Sequence, residues 1–170
     1  MRDTGSFDEF YRATAARAVR FGYAVTGDQG EAQDLVQEAY TRAWRHWSTV
    51  SVHPDPESWV RLVVSRLAKD RWRRMTKLRA ILNRGGGPPD VPAPSDNTVL
   101  LTRALRQLPQ SQRQALALHY LYDMPVDDIA VECRVPAGTV KSWLSRGRAR
   151  LAALLADETT DRKPEATDVR

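Results

Sequence analysis

Apolar residues recur along this chain at three- and four-residue steps, the spacing of one face of a helix, and no alternating strand pattern runs longer than a few residues. Phe7, Phe10, Tyr11, Ala18, Phe21 and Val25 place a first helix over about Ser6 to Thr26. Ala32, Leu35, Val36, Ala39, Tyr40, Ala43, Trp44 and Trp47 make a second stripe, and Asp28 with Glu31 three residues on forms a capping box at its start. A third helix begins after Pro54-Asp55-Pro56-Glu57, with Asp55 as cap and Pro56 at the first helical position. It runs through Trp59, Leu62, Val63 and Leu67. Four more follow further on: one through Val99, Leu100, Ala104, Leu105 and Leu108, one after Pro109, a short one from Val126 to Glu132, and a last one from Ala137 to about Leu155.

The fold class is therefore all-α, in two small helical domains. Residues 83 to 97 contain three glycines and four prolines and almost nothing that could enter a core, so they read as a flexible linker. The expected division is 1–82, a linker over 83–97, a second domain over 98–155, and a polar, frayed tail over 156–170. A length of 170 residues with 42% hydrophobic and 28% charged residues suits such an arrangement. No apolar run approaches a membrane span of about 20 residues, and the start lacks the apolar core of a signal peptide, so the chain is expected in the cytoplasm, without membrane insertion. One cysteine, Cys133, and three histidines offer neither a disulfide framework nor a tetrahedral zinc site. No cofactor or metal is expected.

Charge changes the picture more through its placement than through its total of +5. From Arg61 to Arg79, eight basic residues stand against the single acid Asp70; Arg134, Lys141, Arg146, Arg148 and Arg150 lie in a second stretch without any acid. Acid-only stretches separate them: Asp28, Glu31, Asp34 and Glu38, then Asp123, Asp127, Asp128 and Glu132. A solvated helix face explains one basic patch; two in a short chain point to nucleic acid. The short helix, the bend Cys133-Arg134-Val135-Pro136 and the last helix have the layout of a helix-turn-helix. Its outer face carries Lys141, Ser142, Ser145, Arg146 and Arg148, and Thr139 and Gly138 lie where a phosphate can approach the helix start.

Across nearly the whole chain, from Phe7 to Leu155, the sequence resembles the extracytoplasmic-function (ECF) sigma factors, bacterial transcription initiation factors of the sigma-70 type. Asp34-Leu35-Val36-Gln37-Glu38, followed by Ala39, Tyr40 and Trp44, is similar to family region 2.2, which binds the clamp coiled coil of the largest RNA polymerase subunit. Trp59-Val60-Arg61-Leu62-Val63-Val64 through Asp70 to Arg73-Arg74 resembles region 2.4, beside the minus-ten element. Val126-Asp127-Asp128-Ile129-Ala130, then Val135-Pro136-Ala137-Gly138-Thr139-Val140-Lys141-Ser142, resembles region 4.2, reader of the minus-thirty-five element. The resemblance implies polymerase contacts at Asp34, Leu35, Gln37, Glu38 and Trp44. It implies minus-ten contacts at Arg61, Arg66, Lys69, Arg73 and Arg74, and minus-thirty-five contacts at Thr139, Lys141, Ser142, Ser145, Arg146 and Arg148.

The implied partners are RNA polymerase core, through the clamp coiled coil and the flap, and promoter DNA; an anti-sigma factor is a third partner the resemblance leaves room for. The implied setting is the nucleoid, reached through polymerase, and no catalysis is implied. The loop Ser48 to Asp55 falls where the family places its specificity loop. Two positions depart from the pattern: Ser65 and Arg66 stand where the family often has asparagine, and Trp143 follows Lys-Ser where many members carry arginine or another large residue. Trp44, Trp47, Trp59 and Trp72 are assigned to the core rather than to base stacking. No extra C-terminal domain is expected. Two rival functions are a helix-turn-helix regulator acting without polymerase, which leaves residues before the linker unused, and a nucleic-acid enzyme, for which no catalytic or metal spacing exists.

Overall fold

The computed structural model describes residues 4–82 and 96–161. Eight helices make up the described residues, and there is no strand among them: α1 (Thr4–Thr26), α2 (Gln29–Arg45), α3 (Trp47–Val50), α4 (Pro56–Leu82), α5 (Asp96–Arg106), α6 (Gln110–Leu121), α7 (Val126–Cys133) and α8 (Ala137–Asp161). The linker expected over 83–97 falls largely on 83–95, outside the described residues, as does 162–170 of the expected tail.

α1 and α2 form an antiparallel pair. Gly27, at φ +76°, ends α1 in the left-handed region and returns its N–H to the Tyr23 carbonyl at 2.7 Å. Asp28 then caps α2, its Oδ1 accepting from the Glu31 N–H at 2.7 Å. Only this half of the expected capping box forms, because the Asp28 N–H turns to Thr26 Oγ1 and the Glu31 carboxylate reaches Arg71 at 3.4 Å. Gly22 lets the two helices approach closely: a methyl group there would stand 3.3 Å from both Ala32 Cβ and Val36 Cγ2.

α4 lies across this pair. Asp55 caps it as expected, accepting from the Ser58 N–H at 3.0 Å, and Val60, Val63, Val64 and Ala68 face Phe21, Val25, Leu35, Val36 and Ala39 in the core. Beyond Ala68 the described side chains of α4 from Lys69 to Leu78 are exposed, Trp72 included at 54%. The core assignment of Trp72 is thus corrected: it sits on an exposed face of α4, beside Arg71, which still reaches Glu31 of α2. Trp47 also departs from expectation. The backbone of His46 leaves helical geometry, so Trp47 opens α3 instead of ending α2, yet it stays buried and its indole N–H donates to Ser6 Oγ at 2.9 Å.

After α5, Pro109 opens α6, and Leu108, Ala115, Leu116 and Leu118 join Ile129, Val140 and Leu144 inside the C-terminal helices. Between α7 and α8 the chain turns through Arg134 at φ 56°, with the Val135 N–H bonded to the Ala130 carbonyl at 3.0 Å. α8 then runs to Asp161 rather than stopping near Leu155, since neither glycine nor proline interrupts residues 156 to 161. The two modules are not merely tethered. α1 packs against both α5 and α6, and one hydrophobic cluster includes Phe21 from the first module and Leu118 from the second.

Candidate polymerase and promoter interfaces

The period of α2 separates its two faces. Leu35 is 5% exposed and belongs to the core, so of the residues assigned to polymerase it supports the surface instead of forming it. Asp34 is exposed on the outer side, and Gln37 and Glu38 are exposed about one turn further on. Glu38 is steadied by Arg42 at 2.8 Å, and Trp44 is half-buried against Phe7, their rings 5.0 Å apart. Phe7, Tyr11, Gln37, Tyr40, Thr41 and Trp44 line a shallow hollow of about 250 Å³ beside the acids. Sequence reasoning missed Phe7 and Tyr11 here; their stripe with Phe10 marked them for the core, and the 46% exposure of Tyr11 comes from its place near the end of the helix pair.

The hollow has a rigid floor. Thr14 donates its hydroxyl to the Phe10 carbonyl at 2.7 Å, so its single proton is used and the Tyr40 hydroxyl donates to Thr14 Oγ1 at 2.7 Å. Burial pushes the Tyr40 phenol up to about 12, which keeps it a donor at any ordinary pH. A surface of two carboxylates and an amide around an aromatic hollow suits a basic, amphipathic partner helix.

On α4, Arg66, Lys69, Arg73 and Arg74 project into solvent as expected for phosphate or base contacts, together with Trp72 among them. Arg61 does not. It is 6% exposed, and its guanidinium donates to Glu132 at 3.2 Å and Asp55 at 3.3 Å. Residue 61 lies on the flank of the inward stripe of Val60, Val64 and Ala68, and its pairing with Glu132 of α7 is what buries it. Its direct contact with DNA is excluded in this conformation.

On α8, Lys141, Ser145, Arg146, Arg148 and Arg150 are exposed, and Thr139 and Ser142 are half-buried. Val140, Leu144 and Gly147 face inward, where a methyl group on Gly147 would crowd Leu116 Cδ1 at 3.1 Å. Gly138 stands in open space, so a phosphate has room at the start of α8. Trp143 packs at the edge of the core and faces α4 across a cleft.

Other chemistry is accounted for by structure. Burial pushes the Cys133 thiol up to about 11, so it is protonated and unreactive at neutral pH. His119 donates from Nδ1 to the Met124 carbonyl at 2.9 Å. Among the described residues no group of His, Cys, Asp or Glu could hold a metal, and no helix is long and apolar enough to cross a membrane.

Comparison with known proteins agrees with this geometry. Residues 10–77 match the family described as sigma-70 region 2, and residues 98–151 match sigma-70 region 4. The chain is 31% identical over 170 residues to an ECF RNA polymerase sigma factor, SigE of Mycolicibacterium smegmatis, covering 92% of this chain and 64% of that one. It is 27% identical over 164 residues to the RNA polymerase sigma-E factor of Streptomyces coelicolor, covering 95% of this chain and 92% of that one. In fold it is similar to the sigma factor RpoE of Bartonella quintana, solved in complex with the anti-sigma factor NepR, at a TM-score of 0.78 and 21% identity over 89% of this chain and 97% of that one. With the two region matches in this order, and with these relatives, the chain belongs to the ECF group of the sigma-70 family.

Proposed function

We infer that the chain is a sigma factor: it binds RNA polymerase core and directs it to promoters, where it contacts both the minus-ten and minus-thirty-five elements. The observation that carries this is the division of labour on the surface. An acidic face on α2 lies in the same chain as two basic faces, on α4 and α8, and a transcription regulator acting alone has no use for the first. In this reading Asp34, Gln37, Glu38 and the rim of the aromatic hollow take a helix of the polymerase clamp. Arg66, Lys69, Arg73 and Arg74 approach the minus-ten region, and Lys141, Ser142, Ser145 and Arg146 read the upstream element, with Thr139 and Arg148 on phosphate. The flap of polymerase is assigned to the C-terminal module.

Trp72 joins the minus-ten set as an exposed ring among arginines, a combination suited to unstacked bases. The chain performs no catalysis of its own and reaches the nucleoid through polymerase. The complex of the Bartonella relative with its anti-sigma factor supports a protein of that kind as a regulator here. The deciding experiment is run-off transcription with bacterial core polymerase and a genomic DNA library. Discrete, chain-dependent transcripts sharing upstream and downstream motifs are expected. Tight promoter binding by the chain alone, with no transcript from added core, would instead select the helix-turn-helix regulator.

A further inference from the structure

An apolar cavity of about 520 Å³ lies among α5, α6 and α8, with Arg20, Tyr23 and Ala24 of α1 along one edge. Its volume falls within the roughly 300 to 1,000 Å³ typical of small-molecule sites. Leu105, Leu116, Leu151 and Leu155 give it an aliphatic wall, and Leu101 and Tyr120 are the parts of its lining that reach solvent, 42% and 59% exposed. Neither the acidic face of α2 nor the basic face of α4 contributes to it. The charge in the lining has one sign. Arg20, Arg113 and Arg148 border the cavity, and no acid of the described residues does.

Arg20 and Arg148 are exposed, but Arg113 is only 7% exposed. An arginine so buried ordinarily meets a carboxylate, as Arg61 meets Glu132. Arg113 forms no ion pair with any described acid, and its Nε is buried without a hydrogen-bond partner. Glu31, the acid whose field favours its charge, is held by Arg71 at 3.4 Å, and Arg106 repels it. Burial pulls the Arg113 guanidinium below its ordinary range, yet an arginine keeps its charge at neutral pH. Arg113 also stands in the first turn of α6, where the positive end of the helix dipole disfavours a cation and favours an anion. What this cation lacks is a counter-charge, and what lies beside it is room for hydrocarbon.

We propose that this cavity binds a single-chain amphipathic anion, a carboxylate whose apolar tail lies along Leu105, Leu116 and Leu151 while its oxygens accept from the Arg113 guanidinium. The planar fork of a guanidinium matches a carboxylate with two parallel bonds, which are roughly twice as strong as bonds between neutral groups. Arg20 and Arg148 raise the local concentration of anions at the cavity's edge. Both parts of the ligand are needed. A short carboxylate has no tail to bury, and a neutral alcohol of the same length leaves the guanidinium without its counter-charge. The site does not rest on the sigma-factor reading.

Isothermal titration calorimetry of the full-length chain with sodium octanoate, kept below its micelle concentration, tests the site. Saturable binding of one octanoate per chain is expected, at least about tenfold tighter than binding of 1-octanol, with no heat of binding from acetate. Arg113→Met removes the charge and keeps the unbranched stem, so it should weaken octanoate at least about tenfold and leave 1-octanol unchanged. Ala152→Trp, at an exposed position of the lining, should fill the cavity and weaken both ligands. Helix content by circular dichroism should hold constant through each titration, which separates binding from unfolding by a surfactant. The octanoate-to-octanol ratio needs no substitution, so it tests the site even if Arg113→Met folds poorly. The proposal is overturned by an absence of saturable octanoate binding, by 1-octanol bound as tightly as octanoate, by helix loss that tracks the heat, or by a folded Arg113→Met chain with wild-type octanoate affinity. None of these readouts uses polymerase, so their outcome is independent of the sigma-factor reading.

Discussion

The N-terminal helices interlock through rings and side-chain hydrogen bonds, whereas the C-terminal helices pack on small aliphatic residues and borrow part of their cover from α1. Phe7, Phe10, Tyr11, Tyr40, Trp44 and Trp47 meet at centroid distances of 4.9 to 6.4 Å, and Trp47, Tyr40 and Thr14 add bonds that fix their orientation. In the second module the buried set is Ala104, Leu108, Ala115 to Leu118, Ile129, Ala130, Val140 and Leu144. The apolar cavity between α1, α5, α6 and α8, about 520 Å³ and bordered by Tyr23, Leu116 and Leu151, shows how incompletely that set is closed. The contrast fits the work assigned to each. A module proposed to anchor on polymerase benefits from a rigid face, while the second module, with its open apolar cavity, relies on α1 for part of its cover.

The largest expected effect follows from Phe21, which is fully buried and touches Tyr122 across the boundary. Phe21→Ala should cost about 3 to 5 kcal/mol in urea unfolding, through lost burial and the cavity left behind. If the second module leans on the first, hydrogen exchange should also accelerate in α6. Leu144→Ala, costing about 2 to 5 kcal/mol, should instead leave α1 and α2 protected. Protection of α6 unchanged by Phe21→Ala would break the comparison and make the modules independent.

Next in size is the anchoring face. Charged contacts at a partly desolvated interface are each worth about 1 to 3 kcal/mol, so Asp34→Lys with Glu38→Lys should loosen core binding about a hundredfold. Helix content should not change, because both residues are exposed. Fluorescence anisotropy against purified core measures it; wild-type affinity in the double variant would remove α2 from the interface.

The same contrast governs what was legible beforehand. Helix existence and most boundaries follow from the apolar period and from Asp28, Pro56, Pro109 and Pro125, because these act over a few residues. The outward positions of Asp34, Gln37, Lys141 and Arg146 follow from that period too. Leu35 also follows the period, and only its motif set it among the polymerase contacts; Arg61 and Trp72 did not follow, for a shared reason. Membership of a basic or motif stretch says nothing about which helix crosses which, and only tertiary packing decides that Arg61 meets Glu132 while Trp72 stays exposed. The contact between modules was invisible for the same reason, since its partners are 71 residues apart and lie on helices that look complete by themselves.

A smaller effect separates reading from positioning on α8. A base-edge contact carries about 1 to 3 kcal/mol of discrimination, while a lost phosphate contact weakens all sequences alike and lowers the salt slope by about one. With holoenzyme, Arg146→Ala should shrink the ratio of transcripts from cognate and scrambled upstream elements. Arg150→Ala should lower both in proportion. If Lys141→Ala and Arg146→Ala each leave that ratio untouched, the reading surface lies elsewhere on the C-terminal module.

The smallest effect sits at the joint itself. Asp28 caps α2 through the Glu31 N–H and also faces Arg106 of the other module at 3.9 Å, so two roles must be told apart. Asp28→Ala removes both and should cost about 1 kcal/mol in thermal unfolding, the usual worth of an N-cap. Asp28→Asn keeps the cap, because asparagine serves that position as well as aspartate does, and loses only the charge opposite Arg106. At a separation of 3.9 Å and with Arg106 partly exposed, that charge is worth well under about 1 kcal/mol and should fade with added salt. Asp28→Asn should therefore melt within a degree or two of wild type in high salt. If it melts as low as Asp28→Ala there, the ion pair and not the cap is what Asp28 supplies, and the first module depends on the second more than its aromatic core implies.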